Sequence, residues 1–308
     1  MTDKKIGLMG CGTVAGYGHI PAILATPGLQ LAAVYDPDGL RLDFVRREFG
    51  AIPAFQDSEA FFSAGLDAVV VTSPAPNHYE NVSAAARHRL PVLCEKPLAA
   101  SLPEAEAIVS LMEKAGLPLY TAFCYRFSQC ALAIKTLVKE GAIGQARSLR
   151  LVYDWNLHGK WVQAENGERI ENPRRRARML EGGPLVDCGV HQIDLARWWL
   201  DAEVVRQQAA GVWVDDYEAP DHMYLHLDHV GGAHSFVEVS FSYTHTAQEP
   251  RSHFVYEVIG TDGLIRYDRE AQVFELRNAR ETRQMAWYEE KNFAGMYTVL
   301  VEALTTGA

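Results

Sequence analysis

Short apolar runs alternate with stretches of helical period through residues 1–125. Residues 6–9, 31–35, 68–71, 92–94 and 119–123 predict strands, and residues 40–49, 77–89 and 102–115 predict helices. Such alternation implies a parallel sheet with crossover helices, and the strands are apolar on both sides, as helices on both faces require. After Gly141-Ala142-Ile143-Gly144 the segments lengthen and begin to alternate, as in Met223, Leu225 and Leu227 separated by Tyr224 and His226. Gly231-Gly232 and Thr261-Asp262-Gly263 read as hairpin turns. The expected fold is α/β: a doubly wound domain over 1–125, then an α/β domain over 126–308 with a large mixed or antiparallel sheet packed on a helix at 190–200.

Composition narrows the classes. With 308 residues, 48% of them hydrophobic and 22% charged, the chain has the composition of a globular protein of about two domains. Its net charge of −10 repels a phosphate backbone, so nucleic acid is not an expected partner; Arg174-Arg175-Arg176 is the one basic run. There is no stretch of the roughly 18 apolar residues a membrane span needs, and no signal-peptide core, so a cytoplasmic protein is expected. The five cysteines are scattered without a C-x-x-C pair and read as small core residues rather than disulfides or a zinc cluster.

Gly10-Cys11-Gly12-Thr13-Val14-Ala15 follows the first strand and fits the dinucleotide fingerprint G-x-G-x-x-G/A. Gly10 permits the tight turn, and Gly12 lets the backbone approach a pyrophosphate. Asp36 ends the second strand at the spacing the fingerprint requires. An acid there accepts from both ribose hydroxyls and repels a 2′-phosphate, which favours NAD over NADP. Arg41 is open to two readings, a partner for a 2′-phosphate or a solvated helix charge. Gly16, Gly18 and Pro21 predict that the first helix begins near His19.

Ligands of open parallel sheets sit beyond the carboxyl ends of the strands. Thr72, Ser73, Pro74, Asn77 and His78 leave one strand end, and Glu95-Lys96-Pro97 leaves the next, so these residues are cofactor-site candidates. Spacing alone leaves Lys96 open as a surface lysine beside a turn proline. Together with Gly182-Gly183-Pro184-Leu185-Val186-Asp187-Cys188-Gly189-Val190-His191-Gln192-Ile193-Asp194, and in this order, the motifs resemble the Gfo/Idh/MocA family of NAD(P)-dependent oxidoreductases, which includes glucose-fructose oxidoreductase and inositol dehydrogenase.

The resemblance implies an N-terminal Rossmann domain, Lys96 in contact with nicotinamide ribose and substrate, and acid/base groups from Asp187 to His191. It also implies a homodimer or homotetramer. Family members usually continue through another helix beyond the stretch 292–304. Asp187 and His191 stand four apart and Asp194 three further on, so on a helix all three can share a face. The expected chemistry is hydride transfer between a nicotinamide and a secondary alcohol or ketone of a sugar, inositol-like polyol or sugar acid. His191 takes the hydroxyl proton, Lys96 holds the oxygen and Asp187 orients His191. A metal at this place would need further ligands, and none is expected. Asp194 reads either as a substrate contact or as a helix anchor.

Tyr125 and Arg126 follow the sixth strand and are candidate substrate contacts, and Arg178 could receive an anionic substrate. Packing and surface ion pairs are the alternatives. The histidines from His222 to His253 show no repeated metal spacing and receive no role. Two other functions stay open: the same chemistry on a dihydrodiol or tetrapyrrole, or a non-catalytic sensor of nicotinamide redox state. A sensor has no need of Lys96, Asp187 and His191 together.

Overall fold

The computed structural model describes residues 3–307. Contacts divide the chain into two compact units, one of residues up to Phe127 together with those from Asn292 on, the other Ser128–Lys291. In the first unit the strands β1 (Lys4–Met9), β2 (Leu29–Tyr35), β3 (Ala54–Phe55), β4 (Ala68–Val71), β5 (Val92–Cys94) and β6 (Leu119–Thr121) run parallel in the order β3-β2-β1-β4-β5-β6. This is the Rossmann order, with its switch point between β1 and β4. Helices α1 (Ile20–Ala25), α2 (Gly39–Phe49), α3 (Ser58–Phe62), α4 (His78–Arg87) and α5 (Leu102–Ala115) connect them. The Asp38 and Asp57 side chains cap α2 and α3 by accepting from Leu40 N and Ala60 N, and Gly116, with φ +62°, ends α5. Val69, Val71, Val92 and Cys94 are fully buried against Val82, Ile108 and Met112 of α4 and α5, which explains strands without alternation.

The second unit opens with α6 (Gln129–Lys139), followed by β7 (Ala146–Asp154), the hairpin β8 (Trp161–Gln163) and β9 (Arg169–Glu171), α7 (Pro173–Leu180) and α8 (Val190–Leu200). Then come β10 (Val204–Val212), β11 (His222–His229), β12 (His234–Ser240), β13 (His253–Gly260), β14 (Gly263–Asp268), β15 (Val273–Asn278) and β16 (Thr282–Gln284). Eight strands form one sheet in the order β10-β11-β12-β7-β13-β14-β15-β16. It is mixed because β12 and β7 pair parallel while the other neighbours are antiparallel. Leu225, Leu227, Val237 and Val239 bury the face on which α8 packs. Trp199 of α8 stacks edge-on against Tyr256 at 5.1 Å and donates through Nε1 to Ala131 O.

Two sequence expectations change. A boundary at 125/126 places the end of the chain in the second domain, yet the last helix, α9 (Phe293–Thr306), packs in the first unit against α1. Its Phe293 meets His19 edge-on at 5.0 Å, and Tyr297 OH lies 2.7 Å from His19 Nδ1. The first helix does not wait for His19: helical structure starts at Thr13 and passes through one widened turn, Ala15–His19, into α1. That turn interrupts the i→i−4 ladder ahead of Pro21, so the proline ring and its missing N–H are tolerated inside the helix.

Candidate active site

At the end of β1 the chain turns through Gly10 at φ +100°, and a Cβ there would lie 2.5 Å from Ser73 N, so only glycine fits. Thr72 Oγ1 donates to Gly10 O at 2.5 Å, tying the carboxyl ends of β1 and β4 together. Thr72 is itself buried and holds the turn. Among the described residues, a Cβ on Gly12 would meet nothing within 4 Å, so the space beside the second glycine is open where the helix begins. This is the room a pyrophosphate approaching backbone N–H groups needs.

Asp36 accepts from Cys11 N at 2.8 Å through Oδ2 and from Asp38 N at 2.9 Å through Oδ1. A carboxylate has about four lone-pair sites, so each oxygen keeps capacity for a ribose hydroxyl. The residues present therefore fit a dinucleotide. Arg41 is exposed in the first turn of α2, 4.0 Å from Asp38. Burial, with the Asp36 charge adding to it, pushes the Cys11 thiol up to about 12, so it is not a nucleophile at neutral pH.

Beyond β4, Ser73 Oγ accepts from Asn81 Nδ2, and the buried His78 ring bridges Ser73 O at 2.8 Å and Leu98 O at 3.1 Å. His78 thus joins the loop after β4 to the loop after β5, while Pro74 and Asn77 are exposed beside it. Glu95 is buried, with Oε1 2.8 Å from His19 Nε2 and Oε2 accepting from Lys96 N. Burial works to raise its carboxyl, but the His19 hydrogen bond and charge and the neighbouring Lys96 outweigh it and hold the group below its ordinary value. The half-buried Lys96 follows at once, before a cis peptide bond to Pro97. Tyr125 is buried and Arg126 half-buried in a short helical turn, Cys124–Phe127.

In the second unit the Gly182-Gly183 pair, at φ +110° and +72°, starts the helix that carries the Asp-His motif. It too has a widened turn, Leu185–Gly189, with Asp187 in it and His191 in the first turn of α8. His191 and Asp194 are each 5% exposed, and Asp187 is half-buried. Arg178 is hydrogen-bonded to Glu181 and faces Asp187. Burial lowers its proton affinity, but these two carboxylates reverse the effect and raise it.

The rest of the basic run is also partnered: Arg174 lies 2.9 Å from His158 Nε2, and Arg176 donates to Glu218 at 2.7 Å. Arg175 is wholly buried, bonded to Tyr217 OH, Asn156 O, Phe241 O and Ser242 Oγ, with the Asp221 carboxylate at 3.8 Å. The Glu95 partner His19, and Tyr297 on the other side of the His19 ring, escape sequence reasoning. Glycines around His19 hinted only at a helix start, and Tyr297 lies 202 positions from Glu95 with no motif to mark it.

A Rossmann strand order with an open glycine turn and an acid at the end of β2 makes this a dinucleotide-binding protein. The chain belongs to the Gfo/Idh/MocA oxidoreductases: residues 4–123 match the family's NAD-binding Rossmann fold, and residues 131–266 match its C-terminal domain. It is 33% identical over 272 residues to a D-apiose dehydrogenase of Rhizobium rhizogenes, covering 86% of this chain and 74% of that protein. A D-xylose 1-dehydrogenase (NADP(+)) of Haloferax volcanii is 31% identical over 262 residues, 84% and 74% of the two chains. A crystal structure of an oxidoreductase from Agrobacterium radiobacter in complex with NAD+, L-tartaric acid and magnesium superposes with a TM-score of 0.82 at 25% identity, covering 100% of this chain and 90% of that one.

Proposed function

We propose that the protein is a dehydrogenase or reductase of a sugar, inositol-like polyol or sugar acid, working with NAD in preference to NADP. The observation that carries the reading is the turn at Gly10 and Gly12, open beside Gly12 and tied to Asp36 through Cys11 N. The substrate class follows the apiose and xylose dehydrogenases and the tartrate-bound oxidoreductase to which the chain is similar. The NAD preference rests on Asp36, whose charge repels a 2′-phosphate, and on Arg41 lying beside Asp38. Thr13 and Val14 supply N–H groups at the helix start, and Ser73, Pro74 and Asn77 border the same strand ends.

A bound nicotinamide supplies a hydride acceptor. His191 takes the proton from the substrate hydroxyl as the carbon gives up hydride, and in the reverse direction it returns that proton to the alkoxide. Lys96 hydrogen-bonds the same oxygen and stabilises its developing negative charge. Asp187 fixes the His191 tautomer, and Arg178, held by Glu181, sets a positive charge toward Asp187. Tyr125 and Arg126 complete the proposed substrate set. The test is the kinetics of Lys96→Ala and His191→Ala. Each is expected to lower turnover by about 10²–10⁴ while NAD affinity changes by no more than about threefold. Near-normal turnover in either variant refutes the assignment.

Two features extend the proposal to the setting. Five free and buried cysteines suit a reducing, cytoplasmic compartment, and no described helix is long and apolar enough to cross a membrane. Edge strand β10 is exposed along both faces from Val205 to Val212, which supports a homodimer or homotetramer in which a second copy covers it.

A further inference from the structure

The sheet of the second unit carries, on the face opposite α8, a group of side chains that the dehydrogenase reading does not use. His226 and Asp228 stand two apart on β11 and so share a face, and His234 on β12 is the cross-strand partner of Asp228. The intervening Leu225 and Leu227 are buried on the α8 side, as is Val237. Asp228 Oδ1 lies 2.9 Å from His234 Nδ1 and 3.4 Å from His226 Nε2, and the two ring nitrogens are 3.3 Å apart.

We propose that His226, Asp228 and His234 bind a divalent first-row transition metal ion of the zinc type. With metal–ligand bonds of about 2.0–2.1 Å, neighbouring donors in a tetrahedral site stand about 3.3–3.4 Å apart. The observed triangle, 2.9 to 3.4 Å on its edges, is close to one face of that tetrahedron. Two imidazoles and one carboxylate suit zinc, cobalt, nickel or copper, whereas magnesium and calcium take oxygen ligands.

Asp228 divides its two oxygens between tasks. Oδ1 faces both histidines, and Oδ2 faces Arg206 Nε at 3.8 Å, an outer contact that orients the carboxylate without occupying the donor oxygen. All three ligands ride on paired strands closed by the Gly231-Gly232 turn, so little chain ordering accompanies binding. The side chains are 43%, 24% and 53% exposed for His226, Asp228 and His234, which leaves an entry path and a fourth position for water or an external ligand. The ion would clamp the β11–β12 hairpin, on the opposite sheet face from the helix that bears His191.

The test uses the whole 308-residue chain, stripped with a chelator and titrated calorimetrically with zinc chloride. Wild type is expected to bind one equivalent with micromolar dissociation, and His226→Ala and His234→Ala each to weaken it by at least about tenfold. Both variants keep wild-type turnover with the dehydrogenase substrate, because neither residue belongs to the proposed dinucleotide or proton-handling groups. Cobalt in place of zinc should give the visible absorption of nitrogen and oxygen ligands without a thiolate charge-transfer band. His234→Gln checks that an effect of alanine is not a folding defect, through an unchanged Tm in the absence of metal. No saturable binding below about 0.1 mM, or zinc binding that survives loss of both histidines, overturns the proposal.

Discussion

Asp154, at the end of β7, illustrates how a single buried group sets a property that can be measured. It is 2% exposed, its Oδ1 has no hydrogen-bond partner among the described residues, and burial followed by the charge of Glu238 pushes its carboxyl up to about 7 against the pull of Arg150. An unfolded aspartate releases its proton near 4, so between about pH 4 and 7 the folded chain holds a proton that the unfolded chain does not. This group therefore supports the fold most at low pH, and the contribution is lost as pH rises through about 7. Urea unfolding at pH 5 and pH 8 should show the wild type losing about 2–3 kcal/mol more than Asp154→Asn between the two. Equal pH dependence in both proteins would show that the carboxyl is not perturbed. Glu95 behaves in the opposite sense: its lowered carboxyl stabilises the fold at neutral pH, and that support disappears as pH falls through its folded value. Sequence could mark Glu95 by its place beside Lys96, but not the buried His19 that holds it.

At the scale of elements, α9 and the widened turn Ala15–His19 depend on each other. A Cβ on Gly18 would lie 2.7 Å from the Phe293 ring, so the glycine that looked like a helix-start signal is a seat for an aromatic from the far end of the chain. Tyr297 OH contacts His19 Nδ1 while His19 Nε2 contacts Glu95, which links α9 to the loop that presents Lys96. Tyr297→Phe should cost about 1–3 kcal/mol by leaving a buried ring nitrogen without its oxygen partner, read as a lower Tm, and an unchanged Tm would show that the contact is not formed. Periodicity recovered the regular elements of the first unit well, because buried parallel strands and amphipathic crossovers differ in pattern: residues 68–71, 92–94 and 102–115 match β4, β5 and α5. It missed β3, a strand of two residues, and it could not place α9, whose Tyr297 meets His19 across 278 positions of sequence. The same limit hid the His226, Asp228 and His234 group. Their sequence spacing has no repeat, and only the hairpin register brings the three side chains to one face.

For the molecule as a whole, the division of labour follows from composition and topology. The first unit supplies a parallel sheet whose switch point carries the glycine turn, and the second supplies a mixed sheet with an Asp-His helix on one face. The basic run at 174–178 is taken up locally, since each of its arginines has a partner within its own unit. The chain is a dehydrogenase of its family rather than a nicotinamide sensor. This is tested most directly by incubating the protein with NAD and a panel of pentoses, inositols and uronates, and following reduced nicotinamide by its absorbance. Steady formation of the reduced cofactor with at least one member of the panel is expected. Saturable NAD binding with no reduction by any of them would contradict it.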